Sequence, residues 1–298
     1  MTELPSIQWF PGHMAKTRRL IKESLHLVDI VAELTDARVP ESGRNPELDA
    51  LCVSKPRILL LNKSDMADEN ITGEWLTYYR SKGYYALSVD CKNGRGLNRF
   101  MPLIREILQE KLEKLADKGM SGRTLRVMVA GIPNVGKSTF INTMSHSKRV
   151  KVEDRPGVTR GRQWISLGSG VEMMDTPGIL WPKFEDPKVG EKLAFTGAVK
   201  DDVIDRELLC ARLLEVLAQS YSDELRARYK LSGPLPEDGT DLLSMIGRKR
   251  GMLISGGEVD GERASAMVLD EFRSGKLGRI TLEKPSDHTE NAETGYEA

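Results

Sequence analysis

The chain has 298 residues, with 44 Lys and Arg against 44 Asp and Glu, so its formal net charge at pH 7 is zero. Bulk charge therefore selects no polyanionic partner, and any nucleic-acid surface has to be a local patch. Hydrophobic residues make up 39% and charged residues 30%, the balance of a soluble globular chain of about two domains, with no run near the roughly 18 apolar residues of a membrane span.

The N-terminus lacks an apolar leader core, and Cys52, Cys91 and Cys210 are scattered without metal-ligand spacing. These features fit a reduced, cytoplasmic protein with no membrane partner, expected to be monomeric when alone. Residues 1–24 begin with a turn built from Trp9, Phe10, Pro11 and Gly12, with His13 beside it. The turn launches a helix-like stretch, Ala15 to Lys22, with a basic face. That face suits RNA phosphates or simple solvation equally well.

Val28 to Leu34 has the pattern of a buried strand and ends in Thr35-Asp-Ala-Arg-Val-Pro40. This puts Asp36 and Arg38 at a strand's carboxyl end, where open α/β sheets build their sites; an Asp–Arg pair bracing the loop is the first expectation. A second strand, Arg57 to Leu61, runs into Asn62-Lys-Ser-Asp65. N-K-x-D after a strand is a guanine-reading pattern. The Asp65 carboxylate can accept from the ring N–H and the 2-amino group of guanine, and adenine would leave it unpaired. Asn62 would brace loop and base, and the aliphatic stem of Lys63 can cover the base face. Gly73 to Ser81 follows as a helix, Tyr84 to Val89 as a strand, and Leu97 to Leu115 as a long amphipathic helix. The intervening loop from Asp90 and Cys91 to Gly94 is either a plain turn or the place where backbone N–H groups meet the guanine carbonyl.

After a linker around Gly119 and Gly122, the strand Leu125 to Ala130 leads into Gly131-Ile-Pro-Asn-Val-Gly-Lys-Ser138 and a helix to Met144. The spacing G-x-x-x-x-G-K-S in a strand–loop–helix setting is a phosphate-binding loop. Backbone N–H groups from Asn134, Val135, Gly136, Lys137, Ser138 and Thr139 curl around phosphate oxygens at a helix N-terminus. Lys137 is a point charge for the β- and γ-phosphates and Ser138 a Mg²⁺ ligand. The basic stretch from His146 to Arg162 offers Thr159 as a second Mg²⁺ ligand. A hairpin of Gln163 to Leu167 and Val171 to Met174 ends in Asp175-Thr-Pro-Gly178, where Asp175 would hold Mg²⁺ through water and the Gly178 N–H would meet the γ-phosphate.

Beyond Trp181 the period is helical: Glu191 to Val199, Asp205 to Ser220, Asp223 to Tyr229, Asp241 to Lys249 and Gly261 to Arg273. Arg248, Lys249, Arg250, Arg273, Lys276 and Arg279 make either an RNA-facing surface or a solvated one. The expected division is a basic segment at 1–24, a GTP-binding domain at 25–183, an all-helical domain at 184–283 and an acidic, disordered tail at 284–298.

The guanine-reading motif stands before the phosphate loop, the reverse of the ordinary order, so the expected fold is a circularly permuted α/β domain. With Trp9-Phe-Pro-Gly-His-Met14, Asp36-Ala-Arg38, Asn62-Lys-Ser-Asp65, the phosphate loop, Pro156-Gly-Val-Thr-Arg160, Asp175-Thr-Pro-Gly178 and Arg273-Ser-Gly-Lys-Leu-Gly278, the chain resembles the YlqF-type family of circularly permuted GTPases, the ribosome biogenesis GTPase A family. The resemblance implies GTP hydrolysis to GDP, coupled to late assembly of the large (50S) ribosomal subunit from its precursor, with rRNA as partner. A GTP-dependent RNA-modifying enzyme, or another RNA-binding GTP switch, is the alternative. Ile179, Leu180 and Trp181 follow Gly178, and none can orient water. Catalytic help must come from elsewhere: Asn134 matches the position that holds K⁺ in related GTPases, and His13 could orient water once the N-terminal segment docks.

Overall fold

The computed structural model describes residues 14–120, 122–145, 163–168, 170–176, 178, 180, 184, 186–199 and 204–288. Six strands form one sheet: β1 (Ile30–Asp36), β2 (Arg57–Asn62), β3 (Tyr85–Ser88), β4 (Leu125–Gly131), β5 (Gln163–Gly168) and β6 (Val171–Asp175). Their spatial order is β3-β2-β1-β4-β6-β5, with β5 alone antiparallel to its neighbour. β1, first in sequence, and β4, bearing the phosphate loop, are adjacent at the centre, which is the strand order a permuted chain needs.

All seven residues of β1 are buried, as expected of a central parallel strand covered on both faces. Ile30, Ala32 and Leu34 face a core that includes Phe100 and Phe140. Val31 faces the other side with Ile21 of α1 (Met14–Ser24) and Leu48 of α2 (Pro46–Leu51). The described part of the N-terminal segment thus packs on the sheet. Its neighbour on that face, α3 (Glu69–Ser81), starts at Asp68, whose carboxylate accepts from the N–H groups of Asn70 and Ile71, and buries Trp75 and Tyr79. Glu33 is buried between the guanidiniums of Arg44 and Arg57. Burial raises its pKa and the two cations oppose that.

Two elements differ from the sequence reading. The long helix expected over Leu97 to Leu115 is two helices, α4 (Phe100–Ile107) and α5 (Gln109–Ala116), divided at Leu108 with φ −98° and ψ 10°; a single turn of altered backbone leaves the apolar period intact. α2 falls in a stretch expected to be loop. Asn45 caps it and Pro46 opens it, a local start signal on a helix too short to show a period.

α6 (Lys137–Met144) follows the phosphate loop, and the second half consists of α7 (Pro187–Phe195), α8 (Arg206–Ser220), α9 (Ser222–Tyr229), α10 (Gly239–Lys249) and α11 (Gly261–Arg273). α8 is central, touching α7, α9, α10 and α11. Its apolar core is continuous with the sheet core through Leu180, Leu193 and Phe195.

The chain then returns to the sheet domain. Ile280 donates its N–H to the Met66 carbonyl and Leu282 to the Arg38 carbonyl. The Glu283 carboxylate accepts from Ser42 N–H (2.9 Å), Ser42 Oγ (2.7 Å) and Lys192 Nζ (3.0 Å), while its carbonyl accepts from Trp75 Nε1 (3.0 Å). Residues 284–288, expected to belong to a disordered tail, are ordered, and the His288 ring lies 5.5 Å from Trp75. Residues 289–298 lie outside the described residues.

Glu283 joins the N-terminal half, the helical half and the returning segment. Replacing it with Ala strips several buried donors of their acceptor, and we expect a loss of about 3 kcal/mol of stability by urea unfolding. Glu69→Ala, which breaks only an exposed pair with Arg279, should leave the midpoint essentially where it is.

Candidate functional site

The loops singled out by sequence leave the carboxyl ends of β1, β2, β3, β4 and β6, which lie side by side: Leu34 pairs with Gly131, Asp36 with Asn62, Leu61 with Ser88 and Val129 with Asp175. Gly131 (φ 147°) ends β4, and a Cβ there would stand 2.5 Å from the Leu34 carbonyl oxygen. Gly136 (φ 102°) opens α6, and a Cβ there would stand 2.4 Å from Asn62 Nδ2. Both glycines are required by close approach as well as by backbone conformation.

Asn62 is the junction. Its Nδ2 donates to the Val135 carbonyl at 2.8 Å, and its Oδ1 accepts from the Cys91 N–H at 3.0 Å. Thr143 Oγ1 of α6 donates to the Cys91 carbonyl at 2.7 Å. The N-K-x-D loop, the phosphate loop and the loop at 90–94 are therefore one unit. Asp65 stands in it half-buried, and its carboxylate accepts no hydrogen bond from the described residues. Asp90 differs: it accepts from the N–H groups of Lys92 and Asn93 and from Asn93 Nδ2. The Asp90 carboxylate folds its own loop, and the Cys91 N–H is held by Asn62.

Lys63 (φ 59°) extends its ammonium to Asp36, 3.1 Å away. Asp36 receives Arg38 Nε at 2.9 Å and Nη2 at 2.8 Å, the loop-bracing pair expected from sequence. Burial alone would raise the Asp36 pKa, but Arg38 and Lys63 outweigh it and hold the carboxyl well below the usual range.

At the other end of the cleft, Lys137 Nζ donates to the carbonyls of Gly131 (3.1 Å) and Ile132 (2.8 Å). Burial lowers its pKa to about 8, with Asp175 acting in the opposite sense. Ser138 Oγ donates to Asp175 Oδ2 at 3.3 Å, a hydroxyl beside a carboxylate, and such hard oxygen donors suit Mg²⁺. Among the described residues no cluster of three or more His, Cys, Asp or Glu could hold a metal alone. Gly178 lies against the phosphate loop; a Cβ on it would sit 2.8 Å from Pro133 Cα and 3.1 Å from Lys137 Nζ. Leu180 is buried and cannot present a water. Asn134 (φ 58°) donates Nδ2 to the Gly197 carbonyl at 2.8 Å, so its amide oxygen is the atom a cation would use. Val135 is buried beneath the loop, and Thr139 lies in the first turn of α6. His13 and Thr159 lie outside the described residues.

Of the cations expected on a basic helical surface, Arg273 donates to the carbonyls of Phe195 and Ala194. Arg279 pairs with Glu69 and Arg250 stacks on Tyr229. Arg248, Lys249 and Lys276 are exposed.

Residues 126–224 match a family described as "50S ribosome-binding GTPase". The match begins at the phosphate-loop strand. The chain is 49% identical to Ribosome biogenesis GTPase A of Priestia megaterium over 283 residues, covering 95% of this chain and 98% of that one. It is 33% identical to the protein of the same name from Thermotoga maritima, covering 95% and 96%. A solved structure titled "Crystal structure of GNP-bound YlqF from T. maritima" superposes with a TM-score of 0.65 at 31% identity, covering 91% of this chain and 98% of that one. Among the described residues no helix is long and apolar enough to cross a membrane.

Lys137 must be charged to hold phosphate, and bound phosphate raises its pKa. Binding above pH 8 therefore takes up a proton, and affinity falls as pH rises through that value. GDP affinity, measured without divalent ions, should change little just above pH 7 and weaken towards tenfold per pH unit above about 8. An affinity unchanged from pH 7 to 9.5 would remove Lys137 from the phosphate seat.

Proposed function

The chain belongs to the ribosome biogenesis GTPase A family and is a GTP hydrolase of ribosome assembly that uses GTP, GDP and Mg²⁺, and from this premise we propose that it acts late in assembly of the large (50S) subunit in the cytoplasm, binding the subunit precursor through rRNA. The observation that carries the reading is the Asn62 junction, which supports a single cleft with a guanine seat at Asp65 and a phosphate seat at Lys137. The family description "50S ribosome-binding GTPase" favours the large subunit.

In this reading Asp65 reads guanine, Asn62 and Lys63 brace and cover it, and residues 134–139 cradle the phosphates with Lys137 as their charge. The Gly178 N–H meets the γ-phosphate. Ser138, Thr159 and Asp175 would hold Mg²⁺, which when bound would supply positive charge to the phosphates. Asn134 would hold K⁺ through its amide oxygen, and the ion would supply the kind of charge that an arginine finger supplies in other GTPases. His13 orients the attacking water once the N-terminal segment is docked. Residues 25–183 form the nucleotide-binding domain and 184–283 the RNA-contacting one, with Arg248, Lys249 and Lys276 as the exposed cations. The protein is a monomer off the ribosome.

GTP turnover with each purified ribosomal subunit tests this. The large subunit should stimulate in K⁺ and much less in Na⁺, and the small subunit should not stimulate. Stimulation by neither subunit would end the proposed partner, and equal rates in K⁺ and Na⁺ would end the role of Asn134. His13→Ala should keep GDP affinity and lose at least tenfold of the stimulated rate.

A further inference from the structure

A line of contacts leaves the base seat and re-enters the site at the phosphate loop. Lys63 meets Asp36, and Asp36 grips Arg38 through both carboxylate oxygens. The remaining arm of that guanidinium, Nη1, donates to the carbonyls of Phe272 (2.9 Å) and Arg273 (3.4 Å) at the last turn of α11. Its Cζ lies over the Phe272 ring, 5.0 Å from the ring centre. Arg273 in turn caps α7 through the Ala194 and Phe195 carbonyls, and the Gly197 carbonyl just beyond receives Asn134. Asp36 and Arg38 are 2% and 1% exposed, so water replaces none of these partners at low cost.

Resting on the reading that Lys63 covers guanine, we propose that Asp36 and Arg38 are positioning residues for guanine-nucleotide binding, setting Lys63 over the base only while the end of α11 is docked. The reason is the fork. One planar guanidinium serves two clients: its Nε and Nη2 face Asp36, and its Nη1 faces α11. Lysine cannot reproduce that division. When α11 withdraws, Arg38 loses its carbonyls and its stacked ring and moves towards water. Asp36 then loses its bidentate partner, and Lys63 its fixed anchor. Conversely, a base stacked on the Lys63 stem holds the ammonium at Asp36 and favours the docked arrangement. Linkage requires the two effects to be equal.

Two measurements decide it. In a double-mutant cycle on the full chain, read by the dissociation constant of a fluorescent GDP, Arg38→Ala and Lys63→Ala should each weaken binding about tenfold. The double variant should be little worse than either, because both break the same path. Arg38→Lys should not restore affinity. In the wild-type protein, saturating GDP should slow amide hydrogen exchange at 272–283, and in Lys63→Ala, also saturated, that slowing should be lost. Additive losses, rescue by Arg38→Lys, or exchange at 272–283 indifferent to GDP would each overturn the proposal. If Arg38→Ala does not fold, the exchange comparison between wild type and Lys63→Ala decides alone. Failure of the wild-type chain to prefer GDP over ADP is a separate outcome. It would remove the guanine reading itself.

Discussion

One side-chain amide holds the nucleotide site together. Asn62 uses both of its ends, giving hydrogens to the Val135 carbonyl and taking one from Cys91. A permuted chain reaches its base-reading loop and its phosphate loop 73 positions apart, with a linker in between, so nothing local keeps them in register. Neighbouring β1 sets their coarse spacing, since it pairs with both β2 and β4. The amide supplies the fine spacing, and Gly136 is the concession to it: the space a side chain would fill is occupied by Asn62. Any change at either residue acts on both ends of the ligand at once.

The helical half is held to this unit by one cation set on a helix C-terminus, and a second such cation joins two helices within it. The last carbonyls of a helix have no partner within it and carry partial negative charge. Arg38 caps α11 and Arg273 caps α7. The first contact lies beside the Asp36–Lys63 pair, and the second beside Gly197, whose carbonyl receives Asn134. The returning segment at 280–283 adds buried contacts on the base side only. Among the described residues, buried hydrogen bonds from 280–283 attach the segment beside Asp36 and Met66, and Asn134 adds a hydrogen bond to the Gly197 carbonyl.

Much of this was legible from sequence because the site is made of short loops that follow strands. A phosphate loop, an N-K-x-D and a D-x-x-G declare themselves locally, and the strands before them are apolar runs. The permutation could be read from motif order alone. What sequence could not give is contact between distant segments. Arg38 looked like a loop brace, and it is one, but nothing near it announces the end of α11. Arg273 and Arg279 looked like surface charge, yet both have partners far away in sequence. Glu283 stands at the edge of an acidic tail, and its role depends on Ser42, Trp75 and Lys192, which no periodicity links. The loop at 90–94 stayed ambiguous for a different reason: an Asx turn folds it through the Asp90 carboxylate, a local pattern that any turn can show.

Strand order also has a meaning in time. Domains emerge from synthesis N-terminal end first, so β1, β2 and β3 exist before β4. The newborn β1 is bordered by β2 on one side, and its other edge is an open row of peptide groups, the kind of edge that pairs with strangers. α1 and α2, already made, cover one face of it through Ile21 and Leu48, but they cannot close an edge. A nascent chain therefore holds neither a braced N-K-x-D loop nor a phosphate loop until β4 pairs with β1, and that late pairing brings the two loops together and leaves the outer edge of β4 for β6 and β5 to cover.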